Sequence, residues 1–209
     1  MSLNLAPRLG IKPLASRYVS MPVARALHAF GVGPNAVTVA GFLVSALAGW
    51  FAADGRLLLA GLVLLAGASF DMFDGALARL AGKASKFGAY LDSVTDRLGE
   101  AALLIGLLAY YVRDGHTLGA YLAFGAVVMG GMVSYARARA EGLGIQGDLG
   151  FMGRPERIVV LVAGLVLGIP LVALAIILVF ATVTTVQRSW HVYRVADSPE
   201  RAERIDDNP

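Results

Sequence analysis

An all-α membrane protein of six transmembrane helices is the fold class this sequence predicts, on three observations. Of 209 residues, 57% are hydrophobic and only 16% charged, a balance that leaves a water-soluble domain with far more apolar surface than it can bury. The apolar residues gather into runs near 35–53, 57–79, 88–112, 117–140, 154–169 and 171–192, most of them close to the roughly 20 residues a bilayer-spanning helix needs. Of the 18 lysines and arginines, fifteen fall on one side when the segments between runs are sorted alternately; only Arg56 and Arg113 fall on the other, and Arg97 lies within a run. By the positive-inside rule, that asymmetry puts both termini and the longer loops in the cytoplasm.

The elements follow in order. Residues 1–34 form a tail and a juxtamembrane segment. Arg8, Lys12 and Arg17 stand among turn-formers without a continuous apolar stretch, so no cleavable signal peptide is read there. Over 13–30, Leu14, Tyr18, Met21, Ala24, Arg25 and Leu27 recur at helical spacing, as in an amphipathic helix lying on the membrane surface. Residues 35–192 hold the six spans as one catalytic domain. The fifth span is short, and Gly168-Ile169-Pro170 makes a tight turn after it, so the last two spans are expected to form a helical hairpin. Residues 193–209 are polar and acidic, with Pro199 and Pro209, and read as a solvated tail. Cysteine is absent, which excludes disulfides, thiolate ligands and cysteine nucleophiles.

The chemistry lies in SFDMFDGALARLAGKASKFGAYLDSVTDRLGE, residues 69–100, where four aspartates fall inside or at the ends of apolar runs. An acid at the centre of a membrane helix costs about 2.5–3.5 kcal/mol, less near its end, so a cation is expected there. At about 100° per residue, Asp71 and Asp74 lie roughly 60° apart on one helix and Asp92 and Asp96 roughly 40° apart on the next. The loop between them is short, so these helices are expected to be antiparallel neighbours that bring all four acids to one site. Oxygen donors of this kind suit Mg²⁺, Mn²⁺ or Ca²⁺, and no Cys or His lies nearby to favour a softer ion. Helix-end salt bridges to Arg79, Lys83, Lys86 and Arg97 are the plainer account of a single acid, but four at this spacing do not suit it. A cation or proton path is another functional one. Gly75 and Gly88 leave bare backbone beside the acids, as a bulky ligand requires, although tight helix packing asks for the same residues. Arg79, four residues after Gly75, is placed to hold a diphosphate or the edge of a base.

Together these residues read Asp71-x-x-Asp74-Gly75-x-x-Ala78-Arg79, then eight residues, then Gly88-x-x-x-Asp92-x-x-x-Asp96. This resembles the signature of the CDP-alcohol phosphotransferase family at all eight fixed positions within 26 residues, a highly specific match. The resemblance implies that Asp71, Asp74 and Asp92 ligate a pair of divalent metals, Mg²⁺ or Mn²⁺, with Asp96 as the base and also near a metal. It implies that Gly75, Ala78, Arg79 and Gly88 line the site for CDP, that the donor is CDP-diacylglycerol or a related CDP-linked lipid, and that the enzyme is a homodimer. Membrane lipids are the other expected partners, and no nucleic acid is.

A second stretch, VSYARARAEGLGIQGDLGFMGRPERIV at 133–159, is similar to the corresponding part of actinobacterial-type phosphatidylinositol phosphate synthases, whose acceptor is inositol phosphate. By that resemblance Ser134, Arg137, Arg154 and Arg188 are the expected contacts to the acceptor's phosphate. Arg137 stands where that stretch commonly has lysine, and its planar fork differs from an ammonium. The same arginines, Arg157 among them, also suit lipid headgroups. Glycerol 3-phosphate is the alternative acceptor, and a cation transporter is the alternative of a different class.

Overall fold

The computed structural model describes residues 21–80 and 85–196, except for the side chains of Asp71, Met72, Asp74 and Ala78. Those residues form seven helices and no strand: α1 (Met21–Ala29), α2 (Pro34–Ala53), α3 (Leu57–Leu80), α4 (Lys86–Arg113), α5 (Thr117–Gly142), α6 (Arg154–Val166) and α7 (Pro170–Ala196). Each apolar run is a helix. Of the expected surface helix over 13–30, residues 21–29 are helical and residues 13–20 lie outside the described part, as does the tail beyond Ala196.

Four helices, α2, α3 as far as Leu77, α5 and α7, are long and apolar enough to cross a membrane. α4 has the length, at 28 residues, but Asp92, Asp96, Arg97 and Glu100 lie along it from its first half to its middle. α6 has 13 residues, an axial rise of about 20 Å against a hydrocarbon core of roughly 30 Å.

Local chemistry sets the helix ends. Ser85 caps α4, its hydroxyl accepting from the Gly88 amide at 3.0 Å, and His116 Nδ1 caps α5 by accepting from the Gly119 amide at 3.0 Å. At the opposite end of the bundle from the Ser85 cap, the turns 54–56, 114–116 and 167–169 each centre on a glycine, with φ of 82°, 70° and 71° at Gly55, Gly115 and Gly168. That left-handed conformation is cheap for glycine alone. The turn at Gly168 folds α7 back onto α6, making the expected hairpin.

Helices α2 to α7 close a ring in which each packs against two neighbours, in the order α2, α3, α6, α7, α5, α4 and back to α2. This corrects the expectation that the two acid-bearing helices are direct neighbours. α3 and α4 are each packed on α2 rather than along one another. The reason is the surface of α2, whose buried residues from Gly41 onward, Gly41, Ser45, Ala48, Gly49 and Ala52, are all small and admit helix backbones more closely than large side chains do. A Cβ at Gly41 would stand 2.8 Å from Phe70 of α3, one at Gly99 of α4 3.0 Å from Ser45, and one at Gly49 would run into the Ala102 carbonyl of α4. A five-residue connection constrains only the ends of α3 and α4, whereas these contacts run along their lengths.

The ring is filled unevenly. Leu64, Leu103, Leu104, Leu107, Tyr111, Ala126, Leu161, Leu165, Leu174 and Ile177 form one buried cluster, and all belong to the half nearer the glycine turns. The other half, where α3 ends and α4 and α6 begin, carries the acids and most of the arginines. There α1 packs on α3, with Ala24 buried among Val37, Ala76 and Leu77. Outward-facing residues such as Leu43, Leu58, Ile105, Phe124 and Val179 are exposed, an apolar rim suited to lipid.

Candidate active site

All eight signature residues and all four expected acceptor contacts belong to the polar half of the ring. Asp71 and Asp74 stand on the last part of α3, and Asp92 and Asp96 are half-buried one turn apart on α4. Among the described residues a Cβ at Gly75 would meet only Nη1 of Arg79, at 3.6 Å, so exposed Arg79 lies beside bare backbone, as a ligand held by its guanidinium requires. Gly88 answers to packing as well as to ligand space, since a Cβ there would stand 3.2 Å from Ser85 Oγ and 3.3 Å from Asn35 Oδ1. Asn35, at the start of α2, is thereby brought beside the signature, and the sequence alone did not single it out.

Asp96 takes a partner from an unexpected direction. Arg154 at the first position of α6 donates from Nη1 to Asp96 Oδ2 at 2.7 Å, with side chains 23% and 17% exposed. Arg97 turns back along α4, its Nη1 donating to the Ser93 carbonyl. Two residues read from separate motifs, one as base and one as acceptor contact, are therefore in contact.

The remaining acceptor candidates are joined through the segment between α5 and α6. Arg137 donates from Nε to Glu141 Oε1 at 2.8 Å and from Nη1 to Asp148 Oδ1 at 3.1 Å. Arg188 of α7 is 4% exposed and donates from Nε to the Leu149 carbonyl at 2.7 Å and from Nη1 to the Val133 carbonyl at 2.5 Å. Val133 immediately precedes Ser134, so Arg188 braces the backbone that presents Ser134 and ties down the segment leading to Arg154. Thr184, one turn earlier on α7, accepts from the Met152 amide at 3.0 Å. Nη2 is the Arg188 nitrogen not committed to these carbonyls.

Arg157 departs from its expectation. Counted from sequence among the charges outside the spans, it is 1% exposed and paired inside the ring with Glu100 of α4 at 2.5 Å. The physical reason is register. Arg157 follows Arg154 by one turn and so faces the same way, into the ring.

The donor set fits a hard divalent cation. Carboxylates supply it, no cysteine exists in the chain, and none of the three histidines, His28, His116 and His191, lies within the signature, so oxygen chemistry is the chemistry the signature offers. The half-buried carboxylates of Asp92 and Asp96 share one side of α4, and acids in such a setting call for cationic company, which Arg154 supplies in part at Asp96.

A family model described as CDP-alcohol phosphatidyltransferase matches residues 32–187. The chain is 37% identical over 169 residues to the archaetidylinositol phosphate synthase of Pyrococcus horikoshii, a match covering 79% of this chain and 86% of that one. The crystal structure of Mycobacterium tuberculosis phosphatidylinositol phosphate synthase with CDP-DAG bound superposes with a TM-score of 0.78 at 31% identity, over 87% of this chain and 95% of that one. The same synthase in complex with manganese and citrate superposes with a TM-score of 0.80 at 31% identity, over 87% and 90% of the two chains.

Proposed function

The chain belongs to the CDP-alcohol phosphatidyltransferase family, and on that premise we propose that it transfers the phosphatidyl group of CDP-diacylglycerol to inositol phosphate, giving phosphatidylinositol phosphate and CMP. The observation that carries the reading is the Asp96–Arg154 contact. It joins the signature half of the site, which handles the CDP-activated donor, to an arginine-rich half suited to a phosphorylated acceptor. The solved relative with CDP-DAG and the relatives named for inositol phosphate products support the same pairing of substrates.

In this mechanism Gly75, Ala78, Arg79 and Gly88 cradle the CDP moiety, and Ser134, Arg137, Arg154 and Arg188 receive the acceptor's phosphate, with guanidinium forks matched to its oxygens. An acceptor hydroxyl oxygen forms a bond to the lipid-bearing phosphorus, and the bond from that phosphorus to the oxygen shared with CMP breaks. The hydroxyl proton passes to the Asp96 carboxylate, and CMP departs with the bonding pair. Asp71, Asp74 and Asp92, with Asp96 beside them, would hold two divalent ions, Mg²⁺ or Mn²⁺, which supply neutralising charge at the diphosphate. The manganese complex of the M. tuberculosis relative supports a divalent ion in this family.

The same reading makes 35–192 a six-span domain of the cell membrane, between a tail at 1–34 and another at 193–209, with both termini and the active site cytoplasmic. The distribution of lysine and arginine supports that orientation. α6, though short, completes a pair with α7, and Asp96 and Glu100 of α4 meet arginines of α6 across the ring rather than facing lipid. A homodimer is part of the proposal, its basis being the small-residue content of the helices and the family resemblance.

The test is CMP release by the purified protein with CDP-diacylglycerol and Mg²⁺ as the acceptor is varied. Inositol phosphate is expected to support more turnover than glycerol 3-phosphate, serine or free inositol. Better turnover with another acceptor overturns the substrate, and metal-dependent ion flux without CMP release overturns the reaction.

A further inference from the structure

One charged pair lies deeper than the rest of the site and has no part in the reaction as described. Glu100 follows Asp96 by one turn on α4, Arg157 follows Arg154 by one turn on α6, and the two side chains are 5% and 1% exposed. Arg157 donates from Nε to Glu100 Oε1 at 2.5 Å and from Nη2 to Oε2 at 2.7 Å, the two-pronged geometry that fixes orientation as well as distance. α4 and α6 are not neighbours in the ring, so the pair crosses its interior, directly above the apolar plug that begins with Leu103, Leu104 and Leu161. α5 makes room for it. A Cβ at Gly130 would stand 3.1 Å from Glu100 Oε1 and 3.5 Å from Arg157 Nε.

Stability alone does not account for this arrangement. Desolvating two ions offsets most of their attraction, and well-packed apolar residues of similar size commonly do as well or better. Nη1 of Arg157 is buried with no hydrogen-bond partner among the described residues, a further cost. Arg154 and Arg157 also place two cations in the first turn of α6, the end of a helix dipole that disfavours them. What a forked ion pair supplies, and leucine cannot, is a fixed rotation and height of α6 relative to α4.

We propose that Glu100 and Arg157 are positioning residues: their pair braces α6 across the ring so that Arg154, one turn above, stands between Asp96 and the acceptor's phosphate. This rests on the reading of Arg154 as an acceptor contact. Two stacked rungs, Asp96 with Arg154 and Glu100 with Arg157, hold α4 and α6 in register, and the lower rung is the one no substrate reaches.

The experiment compares wild type, Arg157→Met, Arg157→Lys, Gly130→Ala and the double variant Glu100→Leu with Arg157→Leu, which keeps the space filled. Three quantities are read: KM and kcat for inositol phosphate by CMP release, the rise in Tm caused by CDP with Mg²⁺, and the rise in Tm caused by inorganic phosphate. The double variant is expected to keep the CDP response, to lose the phosphate response, and to raise the KM for inositol phosphate by about tenfold to a hundredfold, as small misplacements of a binding group do. Arg157→Lys recovers part of the loss seen in Arg157→Met, and Gly130→Ala raises KM without removing a charge.

The proposal is overturned by a folded double variant with wild-type KM and phosphate response, by equal loss of the CDP and phosphate responses, or by lysine doing no better than methionine at matched Tm. Should the double variant not fold, Gly130→Ala and Arg157→Lys carry the same comparison. Wild-type protein that releases no CMP overturns the underlying reading instead, and the phosphate response still judges the brace.

Discussion

A group that removes a proton from an acceptor hydroxyl must stand where that hydroxyl arrives, and for Asp96, the proposed base, the neighbour is Arg154 at 2.7 Å. Asp96→Asn keeps the shape and removes the base. Turnover is expected to fall by about 10²–10⁴-fold, the usual contribution of general base catalysis, while the rise in Tm with CDP and Mg²⁺ is retained. Wild-type-like CMP release would end the assignment. The arginines divide by burial. Arg137 makes exposed ion pairs, with its side chain 44% exposed, and such pairs contribute about 0–1 kcal/mol. Arg137→Ala is therefore expected to raise the acceptor KM and leave Tm unchanged. Arg188 is buried on two carbonyls, where each charged hydrogen bond contributes about 1.5–3 kcal/mol, so Arg188→Ala is expected to lower Tm and turnover together. Thermal melts beside initial rates separate the two cases. The aspartates were legible in sequence because their cost in an apolar run is local. The carbonyls that Arg188 meets were not, because a charge in sequence does not disclose which distant backbone it will find.

Among the elements, α2 has no group in the reaction and still sets its geometry. α3 and α4 both rest on its small residues, and a Cβ at Gly106 of α4 would run into the backbone of Gly49. Gly49→Val is expected to lower Tm, with overpacking of this kind costing about 1–3 kcal/mol, and to depress turnover in the protein that remains folded, because the displaced α4 carries Asp92 and Asp96. Normal Tm and kcat would show the crossing to be loose. The helices were legible from hydropathy and from their caps and turns, since those signals lie within a few residues. That α3 and α4 flank α2 was not legible, because glycines at 41, 49, 99 and 106 give no hint of which helix each will face.

At the scale of the whole molecule, the ring separates a polar half from an apolar plug, and metal and topology can be tested there. Chelation by EDTA is expected to abolish CMP release, with Mg²⁺ or Mn²⁺ restoring it and K⁺ failing to. Turnover that persists after chelation would remove the metal from the mechanism. The chain has no cysteine, so single substitutions report sidedness without background. Asp54→Cys in a turn of the plug half is expected to react with a membrane-impermeant thiol reagent from outside the cell, and Gln146→Cys, between α5 and α6, only in inverted vesicles. Reaction of both from one side would overturn the six-span topology.

By itself the sequence determined the helical membrane character, the number of apolar segments, the four aspartates and their family signature, because composition, periodicity and short spacings are properties of neighbours along a chain. Only the tertiary structure decided that α3 and α4 are held apart by α2, that Asp96 meets Arg154, that Arg188 clamps backbone, and that Arg157 turns inward to Glu100. Each of these joins residues far apart in sequence, as the 57 positions between Glu100 and Arg157 show. Such a pairing is set by the closing of a ring, where close packing and the cost of burying a lone charge act on all six helices at once.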